Sequence, residues 1–162
     1  MTELKTVAMR LLDQANIAYK AHTLPTEEVR NAQEVAALLG VTPGTVFKTL
    51  VTTGKTGKHY VFMLPATGEL DLKKAAKVAN EKSIEMLPVK ELLDLTGYVH
   101  GGCSLIGMKK RFRTFIDQSA AVQEIILFSA GRVGMQLEMP LANLQKLLPI
   151  ETADLILEFH SL

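Results

Sequence analysis

The sequence predicts one α+β domain, built on a mixed, strongly curved sheet or partial β-barrel with flanking helices. Three observations support this fold class. About seven or eight short segments have the length and apolar content of strands, amphipathic segments lie between them, and the two kinds do not alternate regularly. Regular alternation would instead predict a doubly wound parallel sheet. A chain of 162 residues can bury a sizeable core, so we expect residues 1–162 to form a single domain.

The first part of the chain predicts two helices separated by a strand. Apolar residues recur at helical spacing between Leu4 and Leu12, which indicates an amphipathic N-terminal helix. We expect a short strand over residues 17–23 and a helix over residues 31–39, before a glycine stop. Thr42 and Pro43 then predict a short helical turn, because proline is favoured at the first helical position.

The rest of the chain is richer in strands. Segments 48–53 and 59–65 flank a loop rich in glycine and lysine, which is typical of a β-hairpin. Further strands are expected over residues 84–86, 98–100, 114–117, 124–129 and 135–139. Helices are expected over residues 72–79, with Asp71 as the cap, and over residues 88–95, 141–148 and 153–159.

Composition narrows the classes of function. The net charge is only +1, so any RNA binding has to come from local patches and not from a general electrostatic attraction. The lone cysteine excludes an internal disulfide and is typical of a reducing cytoplasm, and no apolar run reaches the ~20 residues of a membrane span. The sequence has no HExxH or CxxC motif and no cluster of carboxylates, so we expect neither a metal site nor a cofactor.

A single lysine in an apolar segment is the first candidate for chemistry. Lys48 lies in the run VFKTL, residues 46–50, and burying an ammonium without a partner is costly. If this segment is a strand, Lys48 lies beside an apolar wall and points into a cavity or snorkels out of it. If it is helical, Lys48 and Thr49 face water, and the pattern alone favours that interpretation.

Two glycine-containing segments could complete a site around this lysine. Gly101 and Gly102 leave the backbone open to close approach by a ligand, and Ser104 adds a hydroxyl. The exposed amides of such a loop can stabilise an oxyanion, although a bulge or tight turn without function gives the same pattern. Ser129 and Gly131 follow a buried strand and could form a third wall, or simply a turn.

Cys103 supports an alternative chemistry, because it is the only thiol and His100 lies three residues before it. Together they could form a cysteine hydrolase site. Residues three apart in a strand point to opposite faces, however, so the pair would need a turn, and a small packed cysteine is the simpler interpretation. The basic residues in 109–113 could contact phosphates or form a solvated surface.

Taken together, these segments resemble the YbaK/EbsC family of aminoacyl-tRNA editing proteins over nearly the whole chain. The resemblance rests on Tyr19 and His22, on FKTL at 47–50, and on segments 70–77, 96–102, 106–110 and 129–132. It implies the fold of the editing domain that is inserted in many bacterial prolyl-tRNA synthetases. It also implies a free-standing, cytoplasmic deacylase of mischarged tRNA, with Cys-tRNA(Pro) as the expected substrate.

The resemblance also assigns roles to residues. Lys48 would be the catalytic residue, binding near the terminal adenosine and orienting the aminoacyl ester. The residues that would bind the substrate are Tyr19, His22, Thr49, Gly101, Gly102, Ser104, Ser129 and Gly131. The cysteinyl thiol of the substrate would itself attack the ester, so the protein would supply positioning and electrostatics. The expected partners are the 3′ aminoacyl end of mischarged tRNA and, as a further candidate, prolyl-tRNA synthetase, with no membrane involved.

Two residues depart from the family pattern. Leu105 stands where relatives often have proline, and Cys103 where they are commonly aliphatic. The leucine leaves open whether cysteine, alanine or another small residue is removed, because packing against small side chains discriminates by only ~1–3 kcal/mol. The cysteine argues against an essential protein nucleophile. A non-catalytic regulatory module that binds tRNA or a synthetase remains the alternative function.

Overall fold

The computed structural model of the protein describes residues 5–25 and 31–158. In this part of the chain the α-helices are α1 (Val7–Gln14), α2 (Ala32–Leu39), α3 (Leu72–Ala79), α4 (Val89–Thr96) and α5 (Leu141–Leu147). The strands are β1 (Lys20–Thr23), β2 (Phe47–Gly54), β3 (His59–Pro65), β4 (Ile84–Met86), β5 (Arg113–Asp117), β6 (Ile126–Ser129), β7 (Met135–Met139) and β8 (Glu151–Ala153). Short 3₁₀ helices cover Pro43–Thr45 and Gln118–Val122.

The helices begin and end where side chains satisfy the free backbone groups. The Asn31 side chain accepts a hydrogen bond from the Glu34 amide at the start of α2, and the Asp71 carboxylate accepts two at the start of α3. Helix α2 ends at Gly40 and α4 at Gly97, both in the left-handed conformation that glycine adopts without strain. These caps fix where the chain leaves each helix for the strand or loop that follows it.

The strands form two sheets, one with the order β4-β2-β3-β5-β8 and the other β1-β7-β6. Strand β5 pairs in parallel with both β3 and β8, whereas the other pairings are antiparallel. The larger sheet is therefore mixed, as predicted. A parallel bridge between Val46 and Leu127 connects the two sheets. In the described part of the chain the sheets do not close into a barrel.

The core has three parts. The largest joins α1 and α5 to both sheets, with Leu12, Met63, Phe128 and Leu137 fully buried. Each such side chain stabilises the fold by about 1.5–3 kcal/mol relative to an exposed one. A second cluster packs α3 on the outer face of the large sheet, where the rings of Phe62 and Phe115 stack with centroids 5.3 Å apart. The third holds α2 against Val46 and Leu127.

The predicted α+β class and most predicted elements are confirmed, but two elements are corrected. Residues 98–100 form a loop and not a strand, because the Tyr98 amide donates to the Thr96 hydroxyl instead of to a neighbouring strand. Within 153–159, no helix forms over residues 153–158, and residue 159 lies outside the described residues. Strand β8 ends at Ala153, and the following chain bonds to the segment before α3, as in the donation from the Leu157 amide to the Glu69 carbonyl.

The described residues contain no helix that is both long and apolar enough to cross a membrane. The predicted N-terminal helix begins at Val7, and Leu4 lies outside the described residues. Strand β8 and the 3₁₀ helix Gln118–Val122 were not predicted. The remaining differences are shifts of a few residues at element ends, which are common in sequence-based assignments.

Candidate functional site

A cavity of about 550 Å³ lies beside the first half of β2, within the usual size range of small-molecule sites. We call it the central pocket. Its walls come from β2, α2, the β4–α4 region, the glycine loop (residues 98–107) and the β6–β7 turn (residues 130–134) with the strand ends beside it. The lining residues are Leu24, Asn31, Ala32, Val35, Val46, Phe47, Lys48, Thr49, Leu50, Val51, Ala66, Met86, Leu87, Val89, Leu92, His100, Gly101, Cys103, Ser129, Val133, Gly134 and Gln136.

Lys48 lies on a strand and lines this pocket, so the helical interpretation of its segment is wrong. Its Nζ donates a hydrogen bond of 2.6 Å to the Gly68 carbonyl oxygen. The side chain is half-buried among apolar neighbours, and this loss of solvation lowers the pKa of Lys48, an effect that the nearby Glu69 carboxylate opposes. The pocket therefore holds a cation whose hydration is incomplete and whose partner is a neutral carbonyl.

The glycine loop packs tightly on the β6–β7 turn. A Cβ atom at Gly102 would lie 2.9 Å from the backbone nitrogen of Val133, so only glycine allows this approach. The Gly102 amide donates to the Val99 carbonyl, which turns the chain back on itself. Gly101, exposed and with a φ of +84°, is presented to the pocket by this turn.

The ring of Tyr98 holds the loop and the turn together. A Cβ at Gly131 would lie 2.9 Å from Cε1 of this ring, and one at Gly107 would lie 2.9 Å from its hydroxyl oxygen. The hydroxyl donates to the Ile106 carbonyl at 2.5 Å. Close packing therefore requires glycine at three positions, Gly102, Gly107 and Gly131. The Tyr98 ring and the β6–β7 turn hold the loop that carries Gly101 in place.

Two polar atoms in the pocket wall are buried without a hydrogen-bond partner among the described residues: Thr49 Oγ1 and Gln136 Oε1. Leaving such atoms unpaired costs about 1–3 kcal/mol each. Gln136 lies opposite Ser129 in the β6–β7 pairing, and the Ser129 hydroxyl accepts a hydrogen bond from the Gly131 amide. A third such atom, Ser119 Oγ, belongs to a residue outside the pocket. For the two in the pocket wall, a bound ligand is a candidate partner.

Four of the predicted site residues meet in the central pocket, namely Lys48, Thr49, Gly101 and Ser129. The structure places the other five elsewhere. Gly102 and Gly131 lie behind the pocket wall, in the contacts described above. Ser104 is fully buried, where its hydroxyl accepts from the Ile106 amide.

The remaining two predicted residues lie on or next to β1. His22 pairs with Glu138 on β7, with Nε2 2.9 Å from Oε1. Tyr19 lines a second cavity of about 840 Å³, and its hydroxyl donates to Asp13 at 3.0 Å. Neither residue lines the central pocket.

The predicted site residues did not include Gln136 or the apolar side chains that line the pocket. Gln136 alternates with the buried Met135 and Leu137 along β7, so the sequence pattern could have placed it on the opposite face of the strand. Its position beside Ser129 depends on the strand register, which cannot be predicted from local sequence. The apolar wall is formed by Met86, Leu87, Val89 and Leu92, and half of it comes from the amphipathic helix α4.

Cys103 lines the pocket, but its environment does not suit a nucleophile. Burial raises the pKa of its thiol to about 11, despite an opposing hydrogen bond with Thr96. The thiol is therefore protonated near neutral pH, whereas catalytic cysteines have lowered pKa values. The described part of the chain contains no group of three or more His, Cys, Asp or Glu side chains that could hold a metal ion.

Comparison with known proteins relates this architecture to editing domains. A family model described as the aminoacyl-tRNA editing domain matches residues 26–147. A protein of Enterococcus faecalis with the provisional name Cys-tRNA(Pro)/Cys-tRNA(Cys) deacylase EbsC is 45% identical over 139 residues, which are 85% of this chain and 85% of that protein.

Solved structures show the same fold. One, described provisionally as a trans-editing enzyme for prolyl-tRNA synthetase, has a TM-score of 0.85 at 24% identity and covers 96% of this chain and 100% of its own. Another, described as a hypothetical protein, has a TM-score of 0.84 at 21% identity and covers 93% and 99%. At such low identity these two likenesses concern the fold alone.

Proposed function

The chain belongs to the aminoacyl-tRNA editing domain family, and on this premise we propose that it is a trans-acting deacylase that clears mischarged tRNA, with Cys-tRNA(Pro) as its preferred substrate. The observation that carries the proposal is the position of Lys48, a half-buried cation that lines the central pocket together with the exposed Gly101 backbone. An ester, whose carbonyl oxygen becomes negative as it reacts, fits such a pair of groups. The family membership agrees with the predicted resemblance to YbaK/EbsC proteins.

The proposed reaction uses the substrate's own nucleophile. The cysteinyl sulfur bonds to the ester carbonyl carbon, the bond from that carbon to the ribose oxygen breaks, and the thiol proton passes to the ribose oxygen. This step releases tRNA and a cyclic thioester that water then opens. Lys48 leaves the Gly68 carbonyl to orient the ester, and the Gly101 backbone faces the developing oxyanion.

This chemistry distinguishes cysteine from other small residues better than packing does. An apolar wall discriminates one methylene by only ~1–3 kcal/mol, so an alanyl ester can enter the same pocket. An alanyl ester has no thiol to attack its carbonyl carbon, however, so only the positioning of the ester by the pocket can accelerate its cleavage. We therefore expect cysteine to be released faster than alanine, even though both side chains fit beside Leu92 and Cys103.

The other polar groups of the pocket bind the substrate. Thr49, Ser129 and Gln136 line the pocket together with Lys48, and the two unpaired atoms among them would bond to the ester or the ribose. Gly102, Ser104 and Gly131 act indirectly by shaping the glycine loop. His22 stabilises the β1–β7 pair through Glu138.

The expected partners follow from the weak overall charge. A net charge of +1 gives little general affinity for RNA, so the aminoacyl end itself has to supply most of the binding. Prolyl-tRNA synthetase is the proposed second partner, which would present newly mischarged tRNA to a single-domain, cytoplasmic protein.

A panel of substrates tests this proposal. Purified protein is incubated with Cys-, Ala- and Pro-tRNA(Pro), and the release of each amino acid is followed with and without prolyl-tRNA synthetase. We expect fast release of cysteine, slower release of alanine and no release of proline. Equal release of all three would remove the proposed preference.

The same panel separates the deacylase from a binding module. A module that only captures tRNA or the synthetase would bind in a pull-down or filter assay without releasing any amino acid. That result would overturn the proposed activity, whereas turnover by the purified protein alone would exclude binding as the main function.

A further inference from the structure

The second cavity, of about 840 Å³, lies directly beside the central pocket. Both cavities are lined by Leu24 and Val133, which form the ridge between them. The Leu24 amide donates to the Gly134 carbonyl at 2.7 Å, which fixes this ridge to the β6–β7 turn. A ligand longer than one nucleoside can therefore extend from one cavity into the other.

The charges in the second cavity favour an anion. Lys5 and Asp13 both line it, and they pair with each other. Arg132 also lines it, is exposed, and forms no ion pair with the acidic residues that the structure describes. With the first two charges balanced, the positive charge of Arg132 remains available at the ridge, and guanidinium groups bind phosphates through paired hydrogen bonds.

The same cavity offers a fixed aromatic ring. The hydroxyl of Tyr19 donates to Asp13, and the half-buried ring packs at the edge of the largest core cluster. Aromatic rings and arginine planes are the usual partners for unstacked bases of single-stranded RNA. The cavity thus combines a phosphate-binding group with a stacking surface, next to a pocket that holds the neighbouring nucleoside.

We propose that the second cavity binds the nucleotide preceding the terminal adenosine of tRNA, with its linking phosphate on Arg132 and its base against Tyr19. This inference rests on the proposed function, because it requires the aminoacyl-adenosine end in the central pocket. It gives Tyr19 a place in substrate binding outside the pocket that holds Lys48. The 3′ end would cross the Leu24–Val133 ridge as an extended single strand.

Competition by small RNA fragments tests the proposal without altering the protein. Adenosine and the dinucleotide cytidylyl-adenosine, both unacylated, are compared as inhibitors of cysteine release from Cys-tRNA(Pro). Since a charge-assisted hydrogen bond is a strong contact, we expect the dinucleotide to inhibit roughly tenfold better than adenosine. A dinucleotide with an uncharged methylphosphonate linkage should lose this advantage. Equal inhibition by adenosine and both dinucleotides would overturn the proposal.

Variants then locate the contact. In Arg132→Ala the inhibition constants of adenosine and cytidylyl-adenosine should become nearly equal. Arg10 is an exposed arginine on α1 that lines neither cavity, so Arg10→Ala should keep the wild-type ratio of these constants. If Arg132→Ala keeps both the wild-type ratio and the wild-type melting temperature, Arg132 does not bind the linking phosphate and the proposal is overturned.

Failure of the proposed function and failure of the second binding site give different results. If the protein releases no amino acid from any of the tested tRNAs, the proposed function is overturned, and this inference with it. Normal release without a dinucleotide advantage would overturn only the second site. Direct binding of a fluorescent cytidylyl-adenosine to the full chain gives the same comparison independently of turnover.

Discussion

The Lys48 ammonium lies where its charge is costly, and its surroundings predict a particular pH dependence. Desolvation lowers the pKa of Lys48 below its ordinary value of 10.5, and Glu69 acts in the opposite direction. The charged form is therefore lost at a lower pH than for a solvated lysine. Enzymatic deacylation, corrected for spontaneous ester hydrolysis, should fall as pH rises through this lowered pKa.

Glu69→Gln should move that fall to still lower pH, because it removes the charge that opposes the shift. The measurement is the pH profile of kcat/KM for both proteins. A wild-type profile that stays flat up to the pH of ordinary lysine ionisation would contradict a role for the charged form, as would a Glu69→Gln profile shifted to higher pH.

We expect the Thr49 hydroxyl to lower the stability of the fold while it contributes to substrate binding. Its hydroxyl is buried and unpaired, so Thr49→Val should raise the free energy of unfolding by about 1 kcal/mol while lowering kcat/KM. Thr52 on the same strand provides the matched control, because its buried hydroxyl donates to the Tyr60 carbonyl at 3.0 Å. Thr52→Val should therefore destabilise the fold. Denaturant unfolding of both variants checks the opposite signs, and equal signs would refute the argument.

Cys103 should be dispensable for the chemistry. Its thiol has a pKa of about 11 and is protonated at neutral pH, so Cys103→Ala should keep kcat within roughly threefold of the wild type. Steady-state kinetics with Cys-tRNA(Pro) measure this. Loss of activity by orders of magnitude in a folded variant would revive the cysteine hydrolase hypothesis.

At the scale of elements, the glycine loop depends on its contact with the β6–β7 turn. A Cβ at Gly102 would lie 2.9 Å from the Val133 nitrogen, and such backbone crowding typically costs about 1–3 kcal/mol. Gly102→Ala should lower both the melting temperature and kcat/KM. Gly44→Ala is the control, because the nearest atom to its Cβ would be a side-chain nitrogen of Gln123 at 3.9 Å. Equal melting temperatures of the two variants would contradict this reading of the loop.

The local pattern of apolar and polar residues predicted some elements correctly and others wrongly. Strands β3, β4 and β7 have the predicted bounds because turn-forming or polar residues delimit their apolar runs. Strand β8 was missed, since it has three residues and its first two side chains are exposed. The apolar residues that follow it resemble a helix in sequence, but their backbone bonds go to the segment before α3, which local sequence cannot reveal.

At the scale of the whole molecule, the site forms because the two sheets meet at the Val46–Leu127 bridge. This junction brings the start of β2 beside the end of β6, and so Lys48 beside Ser129. The sequence predicted that these segments and Gly101 would share a pocket. It could not predict the strand register that adds Gln136, or the separation of Tyr19 into the neighbouring cavity, because both depend on contacts between distant parts of the chain.

The central claim is that the Lys48 ammonium positions the aminoacyl ester, and one measurement tests it most directly. The single-turnover rate of cysteine release from Cys-tRNA(Pro) is compared for the wild type, Lys48→Ala and Lys55→Ala, an exposed lysine in the β2–β3 turn. Removing an electrostatic group of this kind typically lowers rates by about 10²–10³, so we predict such a loss in Lys48→Ala, an unchanged rate in Lys55→Ala and the same fold in all three. A folded Lys48→Ala protein that releases cysteine at the wild-type rate would contradict the account.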